Sequence, residues 1–155
     1  NQKIVLIAPE GKEEEAVTRL SRVGYDNTVG FLKEGVQAYT ANGGSLNTIT
    51  SISAQEMADA YSDAKIIDVR KPGEYASEHV ENATTYPLDF MNDDLTKLDK
   101  NETYHIHCAG GYRSVIAISL LMQNGYKNLI DVAGGFGALK NVEIPKTNYV
   151  CPSTL

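Results

Sequence analysis

The sequence has little cysteine, with Cys108 and Cys151 its only two among 155 residues. Two cysteines are too few for a disulfide-stapled scaffold, so we expect a protein of the reducing cytoplasm. Long apolar runs are missing, which argues against a membrane span or a secretory signal. The net charge of -6 argues against a nucleic-acid partner, because phosphate binding needs clustered basic residues. A small anionic substrate in a local positive pocket stays possible.

A methionine is missing at the start, where the first residue is Asn1 and a strand-like run follows over residues 3–8. We therefore expect the sequence to be a fragment of a longer protein. Its 155 residues suit one ordinary domain and are short for two. The expected content is one complete domain plus a piece of another.

An internal repeat supports that expectation. A helical pattern that ends in Gly-Tyr-x-Asn, followed by an apolar run and a glycine, occurs at residues 15–35 and again at 116–135. Five identities share one offset of 101 positions: Ala16, Leu20, Gly24, Tyr25 and Asn27 recur as Ala117, Leu121, Gly125, Tyr126 and Asn128. The repeat predicts four segments: the C-terminal half of one unit over 1–44, a linker over 45–52, a complete unit over 53–144 and a tail over 145–155.

Short apolar runs alternate with helical patterns through the second unit. Ser53 with Glu56 forms a capping box that marks a helix start, and Pro72 suits the first turn of another helix. Runs rich in apolar and β-branched residues predict strands over 65–70, 103–108 and 128–132, and a short strand or extended piece over 83–88. The pattern predicts an α/β fold with a mostly parallel central sheet flanked by helices.

The segment HCAGGYRS, residues 107–114, carries the candidate chemistry. It places Cys108 at the carboxyl end of a strand and directly before a helix, the end at which parallel sheets bind ligands. Gly110 and Gly111 permit a tight turn whose backbone N–H groups can surround an anion, and Arg113 adds a permanent positive charge. These groups favour thiolate over thiol, so we expect a lowered pKa for Cys108.

The segment CAGGYRS resembles the active-site loop of the rhodanese family of sulfurtransferases, whose pattern is Cys-x-x-Gly-x-Arg-Ser. IIDVR with EYASEHVENATTYPL, and then GYKNLIDVAGG, resemble further family stretches in the right order. The resemblance covers roughly residues 47–144. It implies a three-layer rhodanese-like fold, preceded by the C-terminal half of an inactive second repeat. Phe136 stands where the family often has Trp, a difference that concerns packing more than chemistry.

The resemblance implies roles for the matching residues. Cys108 matches the residue that becomes a persulfide, and Arg113 matches the residue that meets an anionic donor. The residues that match the persulfide-binding loop are Ala109, Gly110, Gly111, Tyr112, Arg113 and Ser114. The residues that match structural positions, as an ion pair bracing the pocket floor, are Asp68, Arg70 and Glu74. No metal or cofactor is expected.

The expected reaction moves sulfane sulfur. The Cys108 thiolate attacks a donor such as thiosulfate, polysulfide or a low-molecular-weight persulfide, and a thiol or cyanide-like acceptor then removes the sulfur. This is covalent catalysis in two half-reactions, so ping-pong kinetics are expected. The alternative is a non-enzymatic persulfide carrier or interaction module. In that form it would belong to a tandem-rhodanese protein, such as a fusion to an upstream metallo-β-lactamase-fold hydrolase.

Other interpretations are weaker. A tyrosine-phosphatase or arsenate-reductase loop needs five residues between Cys and Arg, and Cys108 and Arg113 enclose four. A metal site at His105 and His107 is disfavoured because a strand turns both away from Cys108. Cys151 is expected to be a bystander thiol whose tail has no predicted position. Residues 1–44 are expected to pack on the second unit or to form a homodimer.

Overall fold

The computed structural model of the protein describes residues 2–151. The chain forms two compact units, Asn1–Thr48 and Ile49–Leu155. The first unit, here unit 1, contains a strand, a helix, a second strand and a second helix. They are β1 (Ile4–Leu6), α1 (Glu13–Ser21), β2 (Thr28–Phe31) and α2 (Gly35–Ala41). The strands β1 and β2 pair in parallel, with a one-residue register shift between Ile4 and Val5.

The second unit, here unit 2, holds the remaining elements. They are β3 (Thr50–Ile52), α3 (Ala54–Asp59), β4 (Lys65–Asp68), α4 (Pro72–Ser77), β5 (Thr84–Thr85), a 3₁₀ helix (Leu88–Asp93), β6 (Tyr104–His107), α5 (Tyr112–Gln123), β7 (Leu129–Val132) and α6 (Gly135–Leu139). Its five strands form one parallel sheet in the order β3-β7-β6-β4-β5. The predicted α/β architecture with a mostly parallel sheet flanked by helices is confirmed.

Two apolar cores cover the two faces of this sheet. On one face, Ile118 and Leu121 of α5 pack with Ile106 of β6. On the other, Met57 of α3 and Leu139 of α6 complete a second cluster. All five side chains are fully buried. Helices on both faces explain why the strands read as nearly continuous apolar runs in the sequence.

The predicted start of α3 is present in full. The Ser53 hydroxyl accepts the Glu56 N–H at 3.2 Å, and the Glu56 carboxylate accepts the Ser53 N–H at 2.7 Å. The linker predicted over 45–52 needs a correction at its end. Residues 50–52 are β3, which pairs with β7 from Thr50 opposite Ile130 to Ile52 opposite Val132. The polar composition of this stretch does not predict a strand, because β3 forms through its pairing with β7 rather than through a strong strand preference of its own.

The described part of the tail, residues 145–151, lies against unit 2. Val80 and Lys146 form an antiparallel bridge. Farther along, the Val150 N–H donates to the Ser77 carbonyl at 2.7 Å, and the Ser77 hydroxyl donates to the Val150 carbonyl at 2.6 Å. The tail is therefore tied to the C-terminal end of α4.

Candidate active site

The Cys108 loop begins where two central strands end together. In the sheet register Asp68, the last residue of β4, lies opposite His107, the last residue of β6. Cys108 follows at once, and α5 begins only four positions later at Tyr112. The nucleophile candidate therefore lies at the carboxyl edge of a parallel sheet and at the N-terminus of the longest helix, as the sequence predicts.

The loop folds around the Cys108 sulfur. Gly111 adopts a left-handed conformation, with φ of 100°, as the residue before α5, and its N–H donates to Cys108 Sγ at 3.2 Å. The Ser114 hydroxyl lies 3.7 Å from the same sulfur. A left-handed turn followed by a helix start directs successive N–H groups into one concavity, which is the arrangement that binds anions. A β-carbon is costly at the φ of Gly111, so the glycine is required for this geometry.

These contacts set the ionisation of Cys108, whose side chain is 1% exposed. Burial alone raises its pKa, because it removes the thiolate from water. Hydrogen bonds from the backbone and hydroxyl of Ser114 and from the backbone of Gly110 and Gly111 outweigh burial, and the net pKa is lowered. The loop therefore shifts the balance of Cys108 from thiol towards thiolate, the nucleophilic form.

A second glycine-rich segment holds the loop from outside. The Phe136 N–H donates to the Cys108 carbonyl at 2.7 Å, and the Gly137 N–H donates to the Ala109 carbonyl at 2.9 Å. At Gly135, where φ is 55°, a β-carbon would clash with the Cys108 carbonyl oxygen. The start of α6 thus binds the loop carbonyls, which leaves the loop N–H groups facing the sulfur. Sequence reasoning did not assign this role, although the glycines after β7 were a visible signal.

Arg113 is partly exposed and pairs with a carboxylate. Its two terminal nitrogens donate to the two oxygens of Glu74 at 2.6 and 2.9 Å. The Lys71 N–H, at the start of α4, donates to Glu74 Oε2 at 3.1 Å. The hydrogen bond from Arg113 lowers the pKa of Glu74 to about 2, so this carboxylate is ionised at neutral pH.

The three predicted pocket-support residues therefore separate into two pairs. Asp68 and Arg70 form a buried ion pair, with Arg70 Nη2 at 2.6 Å from Asp68 Oδ2. Arg70 also donates to the Glu78 carbonyl at 2.8 Å, and its guanidinium lies 4.0 Å from the centre of the Phe136 ring. Glu74 belongs with Arg113 instead. Phe136 therefore makes two contacts: its N–H binds the Cys108 loop, and its ring packs on Arg70.

The remaining predicted residues lie at the mouth of the loop or outside it. Ala109 and Gly110 are exposed, and Tyr112 is 81% exposed at the first turn of α5. His107 is fully buried, with its ring near Phe136 and its Nε2 3.8 Å from Asp68 Oδ2. Burial lowers its pKa despite Asp68, so the ring is neutral at neutral pH. Cys151 is exposed, directly after the tail residue that bonds to Ser77.

Two other kinds of site, a metal centre and a membrane span, have no candidate in the described part of the chain. Among residues 2–151, no group of three or more His, Cys, Asp or Glu side chains is arranged to hold a metal ion. Within the same residues, each helix is too short or too polar to cross a bilayer.

Comparison with known proteins agrees with the geometry. A Staphylococcus aureus crystal structure described as a rhodanese-like domain protein is 33% identical, with a TM-score of 0.57, and the match covers 62% of this chain and 96% of that one. A sulfurtransferase of Allochromatium vinosum is 31% identical over 101 residues, 64% of this chain and 94% of the relative. The thiosulfate sulfurtransferase PspE of Escherichia coli is 37% identical over 82 residues, 52% of this chain and 75% of the relative.

The matching region coincides with the sheet and loop of unit 2. The family model described as the rhodanese-like domain matches residues 53–141. This stretch contains the Cys108 loop, the Glu74–Arg113 pair and the glycine segment that holds the loop. The chain therefore belongs to the rhodanese-like domain family.

Proposed function

We propose that the protein is a rhodanese-type sulfurtransferase that carries sulfane sulfur as a persulfide on Cys108. The observation that carries this proposal is the arrangement of N–H groups around Cys108 Sγ, led by the 3.2 Å bond from Gly111. The same donors that stabilise a thiolate can stabilise the terminal sulfur of a persulfide, because both are compact sulfur anions. Relatives named as sulfurtransferases support the reaction class.

In the first half-reaction, the Cys108 thiolate attacks the sulfane sulfur of a donor. A Cys108 S–S bond forms, the donor's S–S bond breaks, and the leaving group departs with the electron pair. Thiosulfate would release sulfite, and an organic persulfide would release a thiolate. The donor sulfur arrives as sulfane sulfur, so no external oxidant or reductant takes part.

In the second half-reaction, a thiophilic acceptor attacks the terminal sulfur of the Cys108 persulfide. The acceptor gains that sulfur, and Cys108 returns as a thiolate held by the loop N–H groups. A thiol acceptor becomes a persulfide, and cyanide becomes thiocyanate. Two separate half-reactions on one nucleophile give ping-pong kinetics. The cycle requires reduced Cys108, so we infer the cytoplasm as its compartment.

The deciding experiment is intact-mass measurement after incubation with thiosulfate, polysulfide or glutathione persulfide. We expect a gain of one sulfur atom, which is lost on addition of cyanide with release of thiocyanate. Cys108→Ser is expected to abolish the gain, because serine lacks a comparable nucleophile. Cys151→Ser is the matched control, and we expect it to keep the wild-type gain.

The outcomes separate the two functions that the sequence left open. Repeated turnover with excess donor and acceptor supports an enzyme. Loading that stops after one sulfur, with transfer only to a partner, supports a persulfide carrier instead. A Cys108→Ser variant that still gains sulfur contradicts both, since each requires the persulfide on this residue.

We further propose that unit 1 is the C-terminal half of an inactive second repeat in a tandem or hydrolase-fused protein. Its support is the shared element order and the offset of 101 positions, at which Ile7 replaces Cys108. Exposed apolar side chains, such as Val5 and Phe31, suit a partner surface, either an upstream domain or a second copy of the chain. Light scattering distinguishes these, since a dimer supports the second copy and a monomer contradicts it.

A further inference from the structure

The basic side chains around the Cys108 loop are already neutralised. The loop consists of residues 108–114, and segments 68–78 and 134–140 border it. Together these three stretches contain four Lys or Arg residues. Each of the four lies within ion-pair distance of a carboxylate. The pairs are Arg70 with Asp68, Lys71 with Asp89, Arg113 with Glu74 and Lys140 with Glu78. An incoming anion therefore meets no uncompensated cation among these described residues.

The Glu74–Arg113 pair matters most, because Arg113 is the basic residue of the loop itself. The contact is bidentate, and Glu74 also accepts a hydrogen bond from the Lys71 N–H, which holds the carboxylate in place. An anionic donor that binds the Arg113 guanidinium must compete with two charge-assisted hydrogen bonds or accept a carboxylate nearby. Both effects weaken the binding of a small dianion.

The charge at the reacting centre differs between donor classes. Attack on thiosulfate brings a dianion to the Cys108 thiolate and releases sulfite, so three negative charges meet at the loop. Attack on the protonated form of an organic persulfide, RS–SH, brings a neutral sulfane sulfur, which keeps its proton as it is transferred. The donor's S–S bond breaks and RS⁻ leaves, so only one negative charge is shared. The N–H groups around Sγ are neutral dipoles, well suited to the single charge.

We propose that Glu74 determines donor specificity: by neutralising Arg113 it disfavours thiosulfate and directs the Cys108 thiolate to organic persulfides. This proposal rests on the sulfurtransferase function proposed above. Glu74 acts through Arg113 and does not contact the reacting sulfur, so it is a positioning residue. The donor class then follows from a carboxylate on α4, 34 positions before Cys108 in the sequence.

The test compares two donors on the full chain by rapid quenching and intact mass. Thiosulfate and cysteine persulfide are each offered to the wild type and to Glu74→Gln. For the wild type we expect loading from cysteine persulfide to exceed loading from thiosulfate by about tenfold or more. In Glu74→Gln we expect the second-order rate constant for thiosulfate to rise roughly tenfold, with that for cysteine persulfide within about twofold.

Asp89→Asn is the matched control, because it removes the same charge from the Lys71 pair and leaves Arg113 paired. It is expected to leave the donor ratio unchanged. The salt dependence of the thiosulfate loading rate gives a second measurement. A purely structural role of Glu74 would leave this salt dependence unchanged. Salt should accelerate thiosulfate loading in the wild type more than in Glu74→Gln, because screening relieves like-charge repulsion.

The outcomes distinguish this proposal from the one on which it rests. Equal loading from both donors in the wild type, with an unchanged ratio in Glu74→Gln, overturns the specificity role and leaves sulfur transfer intact. No loading of the wild type from any donor overturns sulfur transfer itself. A donor ratio that shifts equally in Asp89→Asn assigns the effect to overall charge and overturns the role of Glu74.

Discussion

Unit 1 and the second half of unit 2 share one arrangement of elements and differ in what it holds. In both, a strand, a helix, a parallel strand and a short helix follow in order, and β2 lies 101 positions before β7. In unit 2 the first connection surrounds Cys108 Sγ with N–H groups. In unit 1 the corresponding residues border a cleft of about 700 Å³ that is lined by Glu10, Glu13 and Glu34. The two units therefore share the order of their elements and differ in the loop that follows the first strand.

The helix start explains part of this difference. The helix α5 begins at Tyr112, directly after the left-handed Gly111, and brings its first N–H groups to Cys108. The equivalent of Tyr112 in unit 1 is Gly11, and α1 begins two positions later, at Glu13. The three acidic residues of its first turn oppose the binding of an anion there. Unit 1 therefore lacks both a cysteine at this position and the electrostatics of the Cys108 loop.

Burial also separates the two units. Among the described residues 2–48 none is buried, whereas unit 2 encloses two apolar clusters. Val5 is 64% exposed, and its counterpart Ile106 is fully buried. The strand β6 lies between β4 and β7, and α5 covers one of its faces. These neighbours bury the apolar side chains of β6, and this burial stabilises the fold.

The largest effect that we expect is on stability. Ile106→Ala should lower the free energy of unfolding by about 2–5 kcal/mol, because it removes buried methyl groups and leaves a cavity. Val5→Ala, the same position in unit 1, should change it by less than about 0.5 kcal/mol. Urea unfolding followed by far-UV circular dichroism measures both. An equal loss in the two variants would break the comparison, since it would mean that Val5 is covered in solution.

A smaller effect is expected for the tyrosines of the repeat. The Tyr126 hydroxyl lies 2.8 Å from the carbonyls of both Leu95 and Leu98, and the residue is 2% exposed. Tyr126→Phe should cost about 1 kcal/mol, because it leaves two partly buried carbonyls without their donor. The counterpart Tyr25 is 59% exposed, so Tyr25→Phe should fall within about 0.5 kcal/mol of the wild type.

The same urea titration measures the tyrosine pair. A Tyr126→Phe variant as stable as the wild type would indicate that water replaces the hydroxyl at the two carbonyls. A Tyr25→Phe variant that loses more than about 1 kcal/mol would show that unit 1 buries this hydroxyl in solution, and would remove the contrast between the units.

The sequence predicted the local features of the fold well. The capping box of Ser53, the order of strands and helices, and the position of Cys108 between β6 and α5 follow from short patterns in the chain. The strand β3 was missed, because Thr-Ser-Ile after a glycine-rich stretch becomes a strand only by pairing with β7. The tail could not be placed for a similar reason, since its contact with Val80 joins distant parts of the chain.

The sequence predicted the residues of the Cys108 loop better than the residues that surround the loop. Cys108, its loop glycines and Arg113 stand within six consecutive residues, and the structure places the Gly111 N–H against the Cys108 sulfur. The partner of Arg113 lies 39 positions away, and no local pattern distinguishes Glu74 from a helix cap. The loop-binding role of Gly135 also depends on how close two backbones come, which only the folded chain reveals.

The smallest expected effect concerns the hydroxyl of Ser114. It helps the backbone N–H groups lower the pKa of Cys108 against burial. Thiolate is the reactive form, so the loading rate rises with pH through this pKa and then levels off. Ser114→Ala should raise the pKa, shift the midpoint to higher pH and slow loading at neutral pH by roughly a few fold, with the plateau unchanged.

A pH profile of sulfur loading from cysteine persulfide measures the Ser114 effect. The control is Glu13→Ala, which changes the equivalent position of unit 1 and should leave the midpoint where it is in the wild type. An unshifted midpoint in Ser114→Ala would show that the backbone N–H groups alone hold the thiolate. That result would sharpen the comparison further. Besides the missing cysteine and the acidic first turn of α1, the two units would then differ in backbone geometry. The left-handed glycine before the helix is Gly111 in unit 2 and Gly11, one aligned position later, in unit 1.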